Sequence, residues 1–457
     1  MSSHVSKQSA LFVASLASFL TPFMSSSINI ALPAIGTEFS MSAVLLGWVP
    51  TSYLLSSSVF LVPFGRIADI TGRRRVFLGG ITLHTCSSLL CGLSPSLGLL
   101  IGARVLQGIS AAMMAGTSIA ILTSLFPAGE RGRVLGINTA SVYVGLSLGP
   151  FVGGVLTQQF GWRSIFFANV PLGVLMIILV VMKMRGEWTE ARGARFDVTG
   201  SCIYAVALVS LMYGFSLLPD VAGAVLAVGG LLFLLGFIRW ELHAESPVLD
   251  INLFRRNRVF AFSNLAAFIN YSATFAISFL LGLYLMYIRG LSPQQAGLVL
   301  LAQPVVMAAG SPFAGKLSDR IDPRIVSSVG MGIIVGGLLF FVFLSVTTPL
   351  PFIVAALGFL GLGFALFSSP NTNAVMGSVD RTVYGVAAGT LATMRMTGQT
   401  VSLGITMLVF AIFVGRVQIQ PSYYPQFLHS VNVAFGIFSV LCVAGVFSSL
   451  ARGSTRG

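Results

Sequence analysis

Arg104 and Arg395 are the two cations that stand inside long apolar stretches of this chain. A charge at the centre of a bilayer costs at least ~2.5 kcal/mol on insertion scales, so each should face a cavity or a polar partner. Around Arg104, the residues Gln107, Gly108, Ala111 and Ala115 fall near one face at helical spacing. Arg395 has Gln399 one turn on, with Gly385, Gly389 and Gly398 nearby. As a pair, the two arginines could hold an anionic or zwitterionic group or tune the affinity for a proton. Singly, each could instead cap helix-end carbonyls or pair with a loop carboxylate. The 13 Asp and Glu residues offer no anion at the same depth, because every one falls in a loop or at a helix end. Further polar candidates for a solute path are Asn29, Asn138, Asn270, Tyr271, Gln303, Asn371 and Asn373, together with Gln107 and Gln399. An amide in an apolar span needs a partner, so these should point inward.

Bond-making chemistry has no footing in these residues. Four scattered histidines and no acid at depth form no nucleophile–base or metal constellation, so no catalytic residue, metal ligand or cofactor is expected. Cys86, Cys91, Cys202 and Cys442 all lie in apolar stretches, and none forms a C-x-x-C pair. The net charge of +13 could suit a nucleic-acid binder, but the basic residues sit in short breaks between apolar runs rather than in one patch. Nucleic acid is therefore not an expected partner.

The elements that must position these side chains are membrane helices. The chain is 55% hydrophobic and only 9% charged, against roughly 25% charged in soluble domains, too little to cover a water-facing surface. Apolar windows fall near 10–32, 45–65, 76–94, 98–124, 134–157 and 163–184, then 199–218 and 221–239. Six more lie near 259–288, 295–315, 325–346, 350–370, 384–415 and 430–451. A span needs about 20 apolar residues, and only helices satisfy every backbone group in lipid over runs this long. The pattern predicts an all-α integral membrane fold with 14 transmembrane helices, two six-helix bundles with two extra helices between them. The corresponding domains are 1–184, a middle part at 185–258 holding cytoplasmic linkers and the extra pair, and 259–457. With the N-terminus inside, the 26 Lys and Arg collect on one face, apart from the two in-span arginines and Arg163, Arg289 and Arg416. That asymmetry places both termini in the cytoplasm.

The two halves repeat a device. Gly65, Arg66, Asp69, Gly72 and Arg73 close the second window; Gly315, Lys316, Asp319, Arg320 and Arg324 close the second window of the last six. Each has a glycine, a cation, and an aspartate four residues after the glycine, as parallel internal repeats in transporters would. Asp69 could accept hydrogen bonds at a helix N-terminus across the seam between bundles, with Arg73 completing a charge pair. Asp319 and Arg320 would be the counterpart. Such a latch holds one side shut and releases when the halves rock. In the fifth window, Gly145, Gly149, Gly153 and Gly154 put small residues on one stripe, with Pro150 for a bend. A stripe of this kind permits close helix packing.

These residues resemble the major facilitator superfamily, most closely its fourteen-helix drug:proton antiporter branch. Gly65, Asp69, Gly72 and Arg73 match that family's G-x-x-x-D-x-x-G-R loop signature. Arg104, Gln107 and Gly108 resemble its second motif, and Gly145 to Gly154 resembles the glycine–proline motif of its exporters. The runs Gly161 to Pro171, Phe196 to Gly200 and Pro247 to Phe260 are similar to those of the fourteen-helix branch. One position departs: the branch carries an acidic residue in helix 1, in an L-D-x-T-x-x-N-x-A-L-P pattern, and here Met24 stands in its place, five residues before Asn29.

The resemblance implies two six-helix bundles around a central gap, rocking to open to each side in turn, with the extra helices peripheral. It implies a multi-pass protein of the cell membrane that exports amphiphilic small molecules, coupled to protons, and acts as a monomer in the lipid bilayer. Met24 weakens coupling through helix 1. The alternative is a narrow-specificity carrier of an anionic or zwitterionic metabolite or lipid-like acid, held by Arg104 and Arg395.

Overall fold

The computed structural model describes residues 7–184, 186–189, 196–244, 247, 249, 251–380 and 384–453. Apolar runs become helices because a backbone in hydrocarbon must satisfy its own polar groups. The first six are α1 (Lys7–Glu38), α2 (Ala43–Thr71), α3 (Arg73–Gly92), α4 (Leu97–Leu125), α5 (Ala128–Phe160) and α6 (Arg163–Lys183). A hairpin follows, α7 (Val198–Leu217) and α8 (Val221–Glu241). The last six are α9 (Arg258–Ile288), α10 (Pro293–Ser318), α11 (Pro323–Val342), α12 (Leu350–Gly377), α13 (Tyr384–Phe413) and α14 (Tyr424–Ala451).

Thirteen of these helices are long and apolar enough to cross a membrane. The fourteenth, α3, has the length at 20 residues but not the hydropathy. It opens on Arg73, Arg74 and Arg75 and buries His84, Thr85, Ser87 and Ser88. Its polar face is turned into the protein, which is how a weakly apolar helix can still cross.

The packing repeats with a shift of eight helices. In the first six, α1 packs on α5, α2 on α4, and α3 on both α4 and α6; in the last six, α9 packs on α13, α10 on α12, and α11 on both α12 and α14. The fold is thus two pseudo-symmetric six-helix bundles. The α7–α8 hairpin is held tightly because Gly214, Gly223 and Gly230 bring backbone against backbone. α7 lies on α2 and α13, one helix from each bundle, so the extra pair sits outside the seam and spans it. α9 is not a uniform rod. It breaks at Phe275–Ala276 and ends in a π-helical turn at Tyr284–Ile288. Ser402 Oγ on α13 accepts the freed Ala276 N–H at 3.0 Å, so the break leaves no orphan donor there.

Candidate functional site

The two bundles meet along α2–α13, α5–α10 and α1–α9. Among the described residues, the cross-seam bonds run from the end that holds the α1–α2 turn to the middle of α2. Ala43 N–H donates to Val417 O at 2.9 Å, Gln294 N–H donates to Gln158 Oε1 at 3.3 Å, and Ser58 and Thr400 share a hydroxyl bond of 3.0 Å. Along α2, every residue from Thr51 to Val59 is buried, and burial breaks down from Phe60 towards Thr71. The seam is closed at one end and loosens at the end that carries Asp69.

The glycine motif builds the closed end. An added methyl at Gly145 would strike Phe19 O, at Gly149 Ser26 Oγ, and at Gly153 the Cα of Ser27 at 2.8 Å, so α5 lies backbone-close on α1. Ser27 Oγ donates to Gly149 O at 2.8 Å across that contact. Gly154 turns the other way, onto Pro293 O of α10 at 2.5 Å, and Gly297 of α10 answers against Pro150 O. One stripe therefore packs both within a bundle and across the seam.

Arg104 is fully enclosed. Its Nε donates to Val49 O at 3.1 Å, its Nη1 to Gln107 Oε1 at 2.6 Å, and its guanidinium lies 4.5 Å from the centre of the Tyr53 ring. Gln107 Nε2 in turn donates to Ser88 Oγ at 2.8 Å. His84 Nδ1 lies 3.2 Å from Ser110 Oγ, which donates to Gln107 O. Gly108 lets α4 touch α2, because a methyl there would collide with Tyr53 O and Ser56 Oγ. The chain of bonds ties α2, α3 and α4 together with no carboxylate among its described members. In this conformation neither Arg104 nor Gln107 reaches the gap.

Arg395 is different. It lies 11 residues into α13, about 16 Å along the helix, yet stays partly exposed. Its Nη2 donates to Thr372 Oγ1 on α12 at 2.6 Å, and its guanidinium stands 5.7 Å from the Tyr271 ring on α9. Other faces of α13 are taken: Met396 meets Ser57 on α2, Thr397 bonds Tyr204 on α7, and Gly398 abuts Phe268 O on α9. The exposed side of Arg395 thus faces the interior gap. The structure separates the two arginines that the sequence offered as a pair.

Position 24 is fully buried, and Asn169 of α6 donates to the Met24 thioether and to Ile165 O. The asparagine of the helix-6 run is thereby aimed at the residue that replaces the branch's acid.

The loop device holds within its own bundle. Arg73 pairs with Asp69 at 2.8 Å and donates to Ser124 Oγ of α4 at 2.7 Å. Arg73 N–H is capped by Trp188 O and Arg74 N–H by Glu187 Oε1, so the segment after α6 straps over the α2–α3 turn. Gly72, at φ 122, is in the left-handed region and lies under the Glu187 carboxylate, which explains why no side chain stands there. Arg320 is exposed at the end of the helical segment Ala302–Arg320 that continues α10; the side chain of Asp319 lies outside the described residues. The expected charge pair of Asp69 with Arg73 is present, and among the described residues no bond from Asp69 crosses the seam.

The remaining candidates divide. Gln303, Tyr271 and Gln399 are half-buried and Asn373 is exposed, donating to Ser318 Oγ at 2.7 Å. Asn29, Asn138 and Asn270 are buried, and both side-chain polar atoms of Asn270 lack a partner. Asn371 is engaged structurally: it donates to Ser263 O and accepts from Arg452 at 3.1 Å. Arg452 was not among the sequence candidates. It is fully buried at the end of α14, bonded to Ser263 Oγ, Asn371 Oδ1, Pro323 O and Ser327 Oγ, and so joins α9, α11 and α12 to α14. Burial draws its pKa down to about 10, with Asp322 opposing and Arg324 reinforcing the shift.

Comparison with known proteins agrees with this architecture. A family model described as Major Facilitator Superfamily matches residues 14–403. The riboflavin transporter RibZ of Clostridioides difficile (strain 630) is 28% identical, covering 95% of each chain. The multidrug resistance protein Stp of Mycobacterium tuberculosis (strain ATCC 25618 / H37Rv) is 33% identical over 84% of this chain and 72% of its own. The structure of a bacterial homolog to the human lysosomal transporter Spinster, in an inward-facing and unoccupied conformation, superposes with a TM-score of 0.71 at 16% identity, covering 98% of this chain and 97% of that one. With the family match, the paired bundles and the loop motif in agreement, this chain belongs to the Major Facilitator Superfamily and is a multi-pass membrane transporter rather than an enzyme.

Proposed function

We propose that this transporter exports amphiphilic small molecules from the cell by alternating access, using the proton gradient. The observation that carries the reading is the one-ended seam: α5 and α10 interlock through Gly154 and Gly297 at one end, while burial along α2 fails towards Asp69. Two packed bodies joined at one end are suited to rocking about that contact. With both termini in the cytoplasm and the protein acting as a monomer in the cell membrane, this conformation is open inward, ready to load. The glycine stripe that resembles the exporter motif, and the name of the Stp relative, support efflux; the name of RibZ favours a narrower cargo. Among the described residues no Asp or Glu occupies the interior of a span, so coupling does not run through a carboxylate of α1.

Accumulation of chemically diverse dyes in cells expressing the protein, with and without an uncoupler, tests the reading. Lower accumulation that returns to the control level on uncoupling is expected. Accumulation unchanged by expression across all the dyes would end it.

A further inference from the structure

We propose that Arg395, Thr372 and the Tyr271–Phe364 ring pair form a recognition site for amphiphilic aromatic anions, carboxylates or sulfonates, midway along the gap. The proposal deepens the export reading by naming its substrate class, and it rests on that reading for the assumption that cargo enters this gap.

The charge of Arg395 is uncompensated at this depth. Arg395 makes no ion pair among the described residues, and none of α9, α12 and α13 carries an Asp or Glu. A guanidinium presents five donors in a rigid fork matched to a carboxylate or sulfonate. Thr372 takes one of them, and Nε is enclosed without a partner. Thr372 is itself fixed, because its hydroxyl donates to Ser368 O at 2.8 Å and so turns a lone pair towards Arg395. The arginine is therefore held in place by a neutral group that leaves its charge unsatisfied. A partly exposed cation kept at this depth without a counter-ion is costly unless an anion joins it during the working cycle.

The second half of the site is aromatic. Tyr271 lies 5.7 Å from the guanidinium and packs edge-on against Phe364, with ring centroids 6.2 Å apart. A ligand ring can stack beside that pair while its acidic group meets Arg395. Arg104 cannot share the task in this conformation, since Val49, Gln107 and Tyr53 surround it completely. The site is thus a single cation beside an aromatic wall, and it discriminates against organic cations by charge.

Calorimetric titration of the detergent-purified protein with 1-naphthaleneacetate and with 1-naphthylethylammonium tests this directly. The anion should bind at least ~10-fold more tightly than the cation, a difference of about 1.4 kcal/mol. Arg395→Gln should remove that preference, Arg395→Lys should restore part of it, and Tyr271→Ala should weaken naphthaleneacetate more than the aliphatic octanoate. An unchanged melting temperature in each variant keeps the result from being a folding effect. Equal affinity for both probes, preference for the cation, failure of both to bind, or an unaffected Arg395→Gln would each overturn the proposal. Dye efflux measured in parallel on the same variants separates the two readings: efflux that persists without anion preference sinks the site and spares export.

Discussion

The first bundle and the last bundle each carry one arginine deep in a span, and they use it in opposite ways. Arg104 is sealed in by Val49 O, Gln107 and the Tyr53 ring, with its Nη2 enclosed and without a partner. Arg395 is fastened by one neutral hydroxyl and keeps a face to the gap. The difference shows that depth in the membrane does not determine the role of a charge; its access to the gap does. A sealed cation is a strut joining helices, whereas one that keeps an exposed face is available to a ligand.

Removing the strut should have the largest effect. Arg104→Leu strands Gln107 and Val49 O in a sealed interior, and about 3 kcal/mol of stability should go, of the order found when a buried polar partner is deleted. Thermal unfolding of the purified protein would register it. Arg395→Gln in the same assay should stay within about 1 kcal/mol of the parent, since a half-exposed position leaves the new amide solvated. Equal losses in the two variants would erase the contrast between the bundles.

The closed end can be attacked next. Gly153→Leu forces a side chain against the Ser27 backbone, and overpacking of this kind costs about 1–3 kcal/mol. Dye efflux should fall with it, whereas Gly136→Ala, where a methyl meets nothing within 4 Å, should be nearly silent. A smaller effect is expected from Asp69→Asn, because Arg73 keeps its bonds to Ser124 and Ala120 O. Stability should change by about 1 kcal/mol or less, as partly exposed ion pairs do, while the efflux rate falls more than ligand affinity does.

Much of the architecture could be read from the sequence, because lipid imposes a length and a composition on every crossing. The fourteen spans and the repeat of Gly65 to Arg73 by Gly315 to Arg324 follow from local pattern. α3 shows where hydropathy falls short: its polar residues are accommodated by α4 and α6, which no window average can register. Partners were far less legible than positions. Nothing near Arg452 in the sequence indicates that a residue at the end of the last helix is fully buried and bonded to four others. Likewise, the separation of Arg104 from Arg395 depends on Val49 and Tyr53, which lie more than fifty positions before Arg104. The strap of Glu187 over Gly72 is another tertiary event, joining segments more than a hundred residues apart.

Thiol labelling from water tests the contrast between the bundles most directly. In a background with Cys86, Cys91, Cys202 and Cys442 replaced by alanine, Gln399→Cys should report the gap beside Arg395, and the near-isosteric Ser110→Cys should report the sealed cluster around Arg104. Rapid modification of the first by a small charged methanethiosulfonate, with the second protected, is the predicted result. Comparable labelling of both, or protection at position 399 with reaction at 110, would contradict it.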